Sequence, residues 1–263
     1  MKILFNIPVH ENMDVVINTV ENIKKYVIES TIIFHVNPVF KDFDKSRLDA
    51  YKGVYVNPNQ FDFTKYHSIL HILMANYYET KHLEYDYHCF FYSNEMFIRS
   101  GIESYMSGYE CVFENYFLKT ASERHLEMYE ACSIPNFFQG QPYINNHVEG
   151  TMYSKQLIDK IFDFISENLM SLLTSKTSIE ETVIPTLAFM FTEPNKRRGP
   201  YNHFRDWDRE LSINEFDNLL ISNQPCLVGH TAYGITGTTD QIYTIKPVHR
   251  TMSSILRQTI NNR

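Results

Sequence analysis

Apolar residues in this chain come in short runs cut off by polar residues, and between the runs they recur at helical spacing. KILFNIPV is one such run, ended by His10, Glu11 and Asn12, and it predicts a first strand near residues 2–8. Residues 14–26 follow, with Val15, Val16, Thr19, Val20, Ile23 and then Val27 on one helical face. TIIFHVNP predicts a β-branched second strand over 31–36, stopped by Asn37 and Pro38. A strand, a helix and a strand of these lengths require parallel pairing through a right-handed crossover. GVYVNP predicts a short third strand, FTKYHSILHILMANYYETKH a second helix, and YHCFFYS a fourth strand that stops at Ser93, Asn94 and Glu95. Strand and helix thus alternate over the first hundred residues, as in a nucleotide-binding α/β sheet.

Beyond Gly101 the pattern loosens. CVFENYF reads as a strand, and HLEMYEACSIPNFFQGQPYINNH as a helix and then a loop. KQLIDKIFDFISENLMSLL is an amphipathic helix. SIEETVIPTLAFMF predicts another, with Ser178 as N-cap, acidic residues in its first turn, and Pro185 giving a kink or a late start. NKRRGPYNHFRDWDRE is polar and basic and reads as a surface loop. No internal repeat, low-complexity tract or linker divides the chain. One domain over residues 1–263 is expected, with a nucleotide-binding half over 1–100 and an acceptor-binding half and C-terminal tail over 101–263.

Composition narrows the function classes. The net charge of -7 disfavours a nucleic-acid partner. The 4 cysteines, Cys89, Cys111, Cys132 and Cys226, are far apart and form no C-x-x-C, which fits reduced thiols rather than a zinc site or a disulfide framework. No apolar run approaches the roughly 20 residues that span a bilayer. The N-terminal run is too short for a secretory signal and leads straight into the first strand. A cytoplasmic location is expected, with peripheral membrane association left open. With 18 Tyr and 19 Phe, aromatic residues reach 14%. Core packing accounts for most of them, and exposed tyrosines also suit sugar faces.

Four segments, in order, resemble the core-2/I-branching glycosyltransferase family, which also contains peptide xylosyltransferases. They are IPVHENMDVVINTVENI with IIFHVNP, YDYHCFFYSNEMFIRSG, HVEGTMYSKQLIDKI and IEETVIPTLAF. The resemblance implies a GT-A-like fold, a Rossmann-type and mostly parallel α/β sheet flanked by helices. It also implies inverting transfer of a sugar from a nucleotide-diphosphate sugar, UDP-linked in expectation, to a glycan hydroxyl, with no metal and no other cofactor. The context expected is synthesis of a surface polysaccharide or glycan. Asn37 departs from the aspartate usual after the family's second strand, and the animal members' cysteine pattern and membrane anchor are missing.

The chemistry of such a transfer sorts the candidate residues. A carboxylate must take the acceptor hydroxyl's proton. Preplaced cations or a metal must meet the charge that grows on the leaving diphosphate. Glu181 is the candidate base, with Glu180 as fallback, although an acid at a helix start would look the same. Lys246, His249 and Arg250 in IYTIKPVHR are the diphosphate candidates, against the reading of a plain basic tail. Lys196, Arg197, Arg198 and Arg205 form a competing basic cluster, better read as a solvated loop. His10 with Glu11, and His35 with Asn37, end strands 1 and 2 and should face base and ribose. Asn94 and Glu95 end strand 4 and should face the donor ribose or sugar. His147, Glu149 and Trp207 are acceptor candidates. Two alternatives remain: a metal-dependent GT-A enzyme of another family with Glu95 as ligand, and a non-catalytic nucleotide- or carbohydrate-binding protein.

Overall fold

The structure, a computed structural model, describes residues 1–62, 69–112, 117–119, 143–145, 148–168, 179–204, 209–222 and 242–263. Its strands are β1 (Lys2–Val9), β2 (Glu29–Val36), β3 (Val54–Val56), β4 (Tyr87–Phe90), β5 (Met96–Phe97) and β6 (Cys111–Val112). They continue with β7 (Phe117–Lys119), β8 (Tyr143–Asn145), β9 (Thr151–Ser154), β10 (Arg197–Arg198), β11 (Asn202–Phe204) and β12 (Thr244–Lys246). The helices are α1 (Met13–Tyr26), α2 (Ile69–Thr80), α3 (Ile102–Met106), α4 (Lys155–Asn168), α5 (Glu180–Phe191), α6 (Ile213–Ser222) and α7 (Ile255–Asn261).

Seven strands form one sheet in the order β10-β6-β9-β4-β1-β2-β3. β1 pairs in parallel with β2 and with β4, and β2 with β3. The strands expected near 2–8 and 31–36 are therefore adjacent and parallel, Pro8 facing His35 and Val9 facing Val36. β1 is buried from Ile3 to Val9, as a strand covered by helices on both faces must be. α1 starts where Asn12 Oδ1 accepts from Val15 N at 3.1 Å, with Asp14 in its first turn and Lys24 and Lys25 in its last. β9 breaks the parallel pattern, running antiparallel to both β4 and β6. The result is the expected mixed α/β, GT-A-like sheet.

A smaller sheet, β11-β12-β5, packs at the carboxyl end of β4. β12 runs antiparallel to β5, so the tail returns to the segment that ends β4. β7 and β8 form an antiparallel pair. The strand order reverses at β1, with β2 on one side and β4 on the other. Such a switch opens a crevice beyond the strands' carboxyl ends.

Of the two readings of Pro185, a kink or a late start, the late start is excluded: α5 begins at Glu180 and carries Pro185 inside it. Proline has no N–H, so the Glu181 carbonyl lacks its usual helical donor four residues on. Ser178, the expected N-cap, lies outside the described residues. The supposed solvated loop is in large part structure. Tyr201 and Asn202 are fully buried. Arg197 Nη2 donates to Phe189 O at 2.7 Å and to Thr192 O, capping the end of α5, and its guanidinium lies 3.7 Å from the Phe189 ring centre. Arg198 lies 3.9 Å from the centre of the Tyr105 ring and 4.6 Å from that of Tyr109. Carbonyls and ring faces, not water alone, take up these charges. Arg205 lies outside the described residues.

Candidate active site

The crevice is built by four segments. β1 delivers His10 and Glu11, β4 delivers Tyr92 to Glu95, β12 leads into Lys246 to Arg250, and the turn before β9 carries Glu149. Hydrogen bonds lash the tail to the end of β4. Val248 N donates to Asn94 O at 2.7 Å, Ile98 N to Tyr243 O at 2.9 Å, and Thr244 Oγ1 to Glu95 Oε1 at 2.7 Å. Gly150 has φ 73°. A Cβ there would sit 2.8 Å from Asn202 Nδ2 and 3.3 Å from Glu95 Oε1. Only glycine brings the backbone next to Glu149 so close to Glu95.

Each predicted cation of the tail has a carboxylate partner. Arg250 Nε lies 2.8 Å from Glu11 Oε1 and donates to Ser93 Oγ at 3.2 Å. Ser93 Oγ in turn donates to Glu11 Oε1, and His10 N donates to Glu11 Oε2 at 3.0 Å. These contacts run through the Nε edge of the guanidinium, and the Arg250 side chain stays 34% exposed. Lys246 differs. Its Nζ lies 3.1 Å from Glu149 Oε1, with the lysine side chain 0% and the glutamate side chain 14% exposed. His249 turns outward to Glu210, Nδ1 to Oε2 3.3 Å, and is 57% exposed. It does not join the other two.

Arg257 was invisible at the sequence level. It is fully buried in α7 and donates to Ser93 O at 2.5 Å, His249 O at 3.1 Å and Asn18 Oδ1 at 2.7 Å. One guanidinium thus joins α1, the end of β4 and the tail. Burial pushes its pKa down to about 10, with Glu11 and Glu210 opposing.

Across the crevice the start of α5 adds Glu180 and Glu181. Tyr92 lies buried near both of them and Glu149. Burial, reinforced by these three carboxylates, pushes its hydroxyl well above its ordinary range. Glu180 is buried too, and its Oε2 has no hydrogen-bond partner. Burial first, then the Glu181 charge, raises its pKa well above the usual carboxylate value. Glu181 is half-buried. Asn94 is buried, and its Oδ1 has no hydrogen-bond partner among the described residues.

The remaining candidates divide. His10 lies beside Glu11, Nε2 to Oε1 3.5 Å, and burial lowers its pKa. Asn37 N donates to Val9 O at 3.0 Å, which sets the end of β2 beside that of β1. The side chains of His35 and Asn37, however, organise the segment after β3. His35 Nε2 accepts from Phe61 N at 3.0 Å and its ring stacks on Phe61 at 5.0 Å. Asn37 Oδ1 accepts from Val39 N at 3.1 Å and its Nδ2 donates to Asp62 at 3.4 Å. His147 and Trp207 lie outside the described residues.

Glu149, Glu181 and Arg250 thereby lie near Tyr92, together with Glu11, Ser93 and Glu180, while Lys246 joins through Glu149, and Asn94 and Glu95 through the tail. Among the described residues no three His, Cys, Asp or Glu side chains are grouped so as to hold a metal ion. Glu95, the only carboxylate of the tripeptide that ends β4, spends Oε1 on Thr244. No described helix is long and apolar enough to cross a membrane.

Comparison with solved structures places the fold. The galactosyltransferase LgtC, solved with donor and acceptor sugar analogs, superposes with a TM-score of 0.50 at 9% identity, over 100% of this chain and 94% of that one. An active-site mutant of LgtC gives 0.51 at 8% identity with the same coverage. The core-mannan synthase CmsA/Ktr4 of Aspergillus fumigatus, in its Mn/GDP form, gives 0.42 at 9% identity over 75% of this chain and 72% of its own, too loose a likeness to bear on the fold. The likeness to LgtC extends to the fold alone. No family model matches the chain, and no curated protein matches it in sequence.

Proposed function

We propose that the protein is a glycosyltransferase that moves a sugar from a nucleotide-diphosphate sugar, UDP-linked, to a hydroxyl of a glycan. The observation that carries this reading is the convergence of Arg250, held by its Nε edge, with the Glu180–Glu181 helix start at the switch point of a GT-A-like sheet. That arrangement offers a cation for a leaving diphosphate and a carboxylate for an incoming hydroxyl, which are the two needs of the transfer.

In this reading the terminal nitrogens of Arg250 grip the diphosphate and Lys246 adds its charge. His10, with the neighbouring ends of β1 and β2 at His35 and Asn37, borders the base and ribose. Asn94 and Glu95 meet the donor ribose or sugar, Asn94 offering its open carbonyl to a hydroxyl. Glu181 takes the acceptor's proton, and Glu149, with His147 and Trp207, borders the acceptor. Metal-independent transfer is supported by the single carboxylate at the end of β4 and by the cations nearby. Such residues fit a metal-bridged diphosphate poorly, since one carboxylate is a meagre magnesium site. Inversion follows from the resemblance to the core-2/I-branching family.

The test is a thermal-shift screen of UDP-, GDP-, CMP- and TDP-sugars, followed by transfer assays with and without EDTA. A true donor raises the melting temperature with concentration. Transfer that survives EDTA, with the product's anomeric configuration inverted by NMR, is the expected result. Activity lost to EDTA and restored by manganese would turn the reading to the metal-dependent alternative. Binding without any transfer or hydrolysis would turn it to a binding protein.

A further inference from the structure

Lys246 and Arg250 stand four residues apart on one tail, yet they are held in opposite ways. Arg250 keeps its side chain 34% exposed while Glu11 stands 2.8 Å from its Nε edge. Glu11 is itself fixed by Ser93 and by the backbone N–H of His10. A phosphate can therefore reach Arg250 without disturbing that pair. The Lys246 ammonium is out of solvent, and Glu149 Oε1 stands 3.1 Å from it. A phosphate that reaches this ammonium competes with Glu149 for it.

We infer that Glu149 is a built-in stand-in for a phosphate: it holds Lys246, and the donor's diphosphate takes its place. The inference rests on the nucleotide-sugar reading above. Three features bear on it. Glu149 is partly exposed where Lys246 is not, so the glutamate is the partner with room to move. It lies in the turn that precedes β9, whose next residue is the positive-φ Gly150, while Lys246 is fixed in a strand paired on both sides. Finally, Glu181 lies close enough to share its field at Tyr92, so Glu149 is not the only carboxylate on this side of the crevice. An incoming diphosphate must compete with their charge, and the swap exchanges one anion for another at a buried ammonium. The buried cation is never left bare, which would be costly.

Competition of this kind has a measurable sign. The apparent dissociation constant of a ligand rises by the inverse of the fraction of molecules in which its site is open. Removing the internal anion should therefore tighten diphosphate binding, the opposite of what loss of a structural ion pair would do. The probes are inorganic pyrophosphate, UDP and GDP, titrated calorimetrically into the full chain. Glu149→Gln should bind at least one of them roughly tenfold more tightly than wild type, equivalent to about 1.4 kcal/mol. Lys246→Met should weaken binding whether residue 149 is Glu or Gln. Because an unpaired buried lysine endangers folding, Glu149→Asp serves as the second variant. It keeps the charge but draws it back by one methylene, and it too should bind more tightly than wild type. If Glu149→Gln does not unfold cooperatively, Glu149→Asp alone decides. Wild type that binds a probe while the deciding variant binds it equally or more weakly overturns the inference and leaves the nucleotide-sugar reading standing. Binding of none of the probes by wild type and variants overturns both.

Discussion

Arg250 Nε and Glu11 Oε1 lie 2.8 Å apart, so a residue of the tail is aimed by one that closes the first strand. The pair engages Nε, and the arginine side chain stays 34% exposed. Arg250→Ala should weaken binding of UDP or GDP by roughly tenfold to a hundredfold, the value of one or two charge-assisted hydrogen bonds. Binding of the corresponding monophosphate should suffer less. Arg250→Lys should recover only part of the loss, since a point charge does not replace a planar fork. Calorimetric titration with mono- and diphosphates checks this. Equal losses for both nucleotides would remove Arg250 from the diphosphate.

Glu181→Gln keeps the size of the side chain and removes its proton-accepting oxygen. Turnover should fall by roughly 10²–10⁴-fold, while donor affinity stays near that of wild type. The loss belongs to the transition state and should appear in kcat more than in KM. Glu180→Gln should alter turnover little. Steady-state kinetics on the two variants separates them, and full turnover in both would send the search for the base to Glu95 or Glu149.

Glu180 should make stability pH-dependent. Burial and the neighbouring Glu181 charge raise its pKa in the folded chain above the ordinary 4.5. The unfolded chain therefore releases that proton first. The stability tied to this group is complete below about 4.5 and is lost as pH rises through the folded-state value. Glu180→Gln removes the titration, so its melting temperature should drop less than that of wild type between pH 5 and pH 8. Parallel melting curves across that range would show that the proton is not held there.

Arg257 ties α1, the end of β4 and the tail together from full burial. Arg257→Met keeps much of the stem and leaves buried acceptors unsatisfied. Each such acceptor costs about 1–3 kcal/mol, so the urea midpoint should fall markedly. Diphosphate affinity should fall as well, because His249 and its neighbour Arg250 lose their anchor. An unchanged midpoint would mean that the tail is held by its strand pairing alone.

How much of this could be read from the residues depends on how local each cause is. β1, α1 and β2 follow from apolar spacing and the Asn37–Pro38 stop, and all of that information lies within forty positions. β5 is two residues long, too short for a periodic signal, whereas the strand-like IYTI before Lys246 does mark β12, and the two pair across most of the chain. Arg197 and Arg198 looked solvated because the carbonyls and tyrosine rings that receive them belong to α5 and to the region of α3. Lys246 and Arg250 were identifiable as cations, and Glu181 as an acid at a helix start. Their partners were not, since Glu11 and Glu149 come from other elements. Arg257 shows the limit most plainly. A lone arginine in a short helix carries no local mark of burial.

The bond from Arg257 to Ser93 also sets an order of events in synthesis. Glu11, Ser93 and the parallel strands between them leave the ribosome early, and the carboxylates at the crevice wait there without the tail's cations. Arg250 emerges long after them, and Arg257 later still. A nascent chain can thus build its sheet but cannot grip an anion, and the crevice becomes competent only once α7 has docked. Removing that one helix should leave the sheet in place and the crevice without its latch.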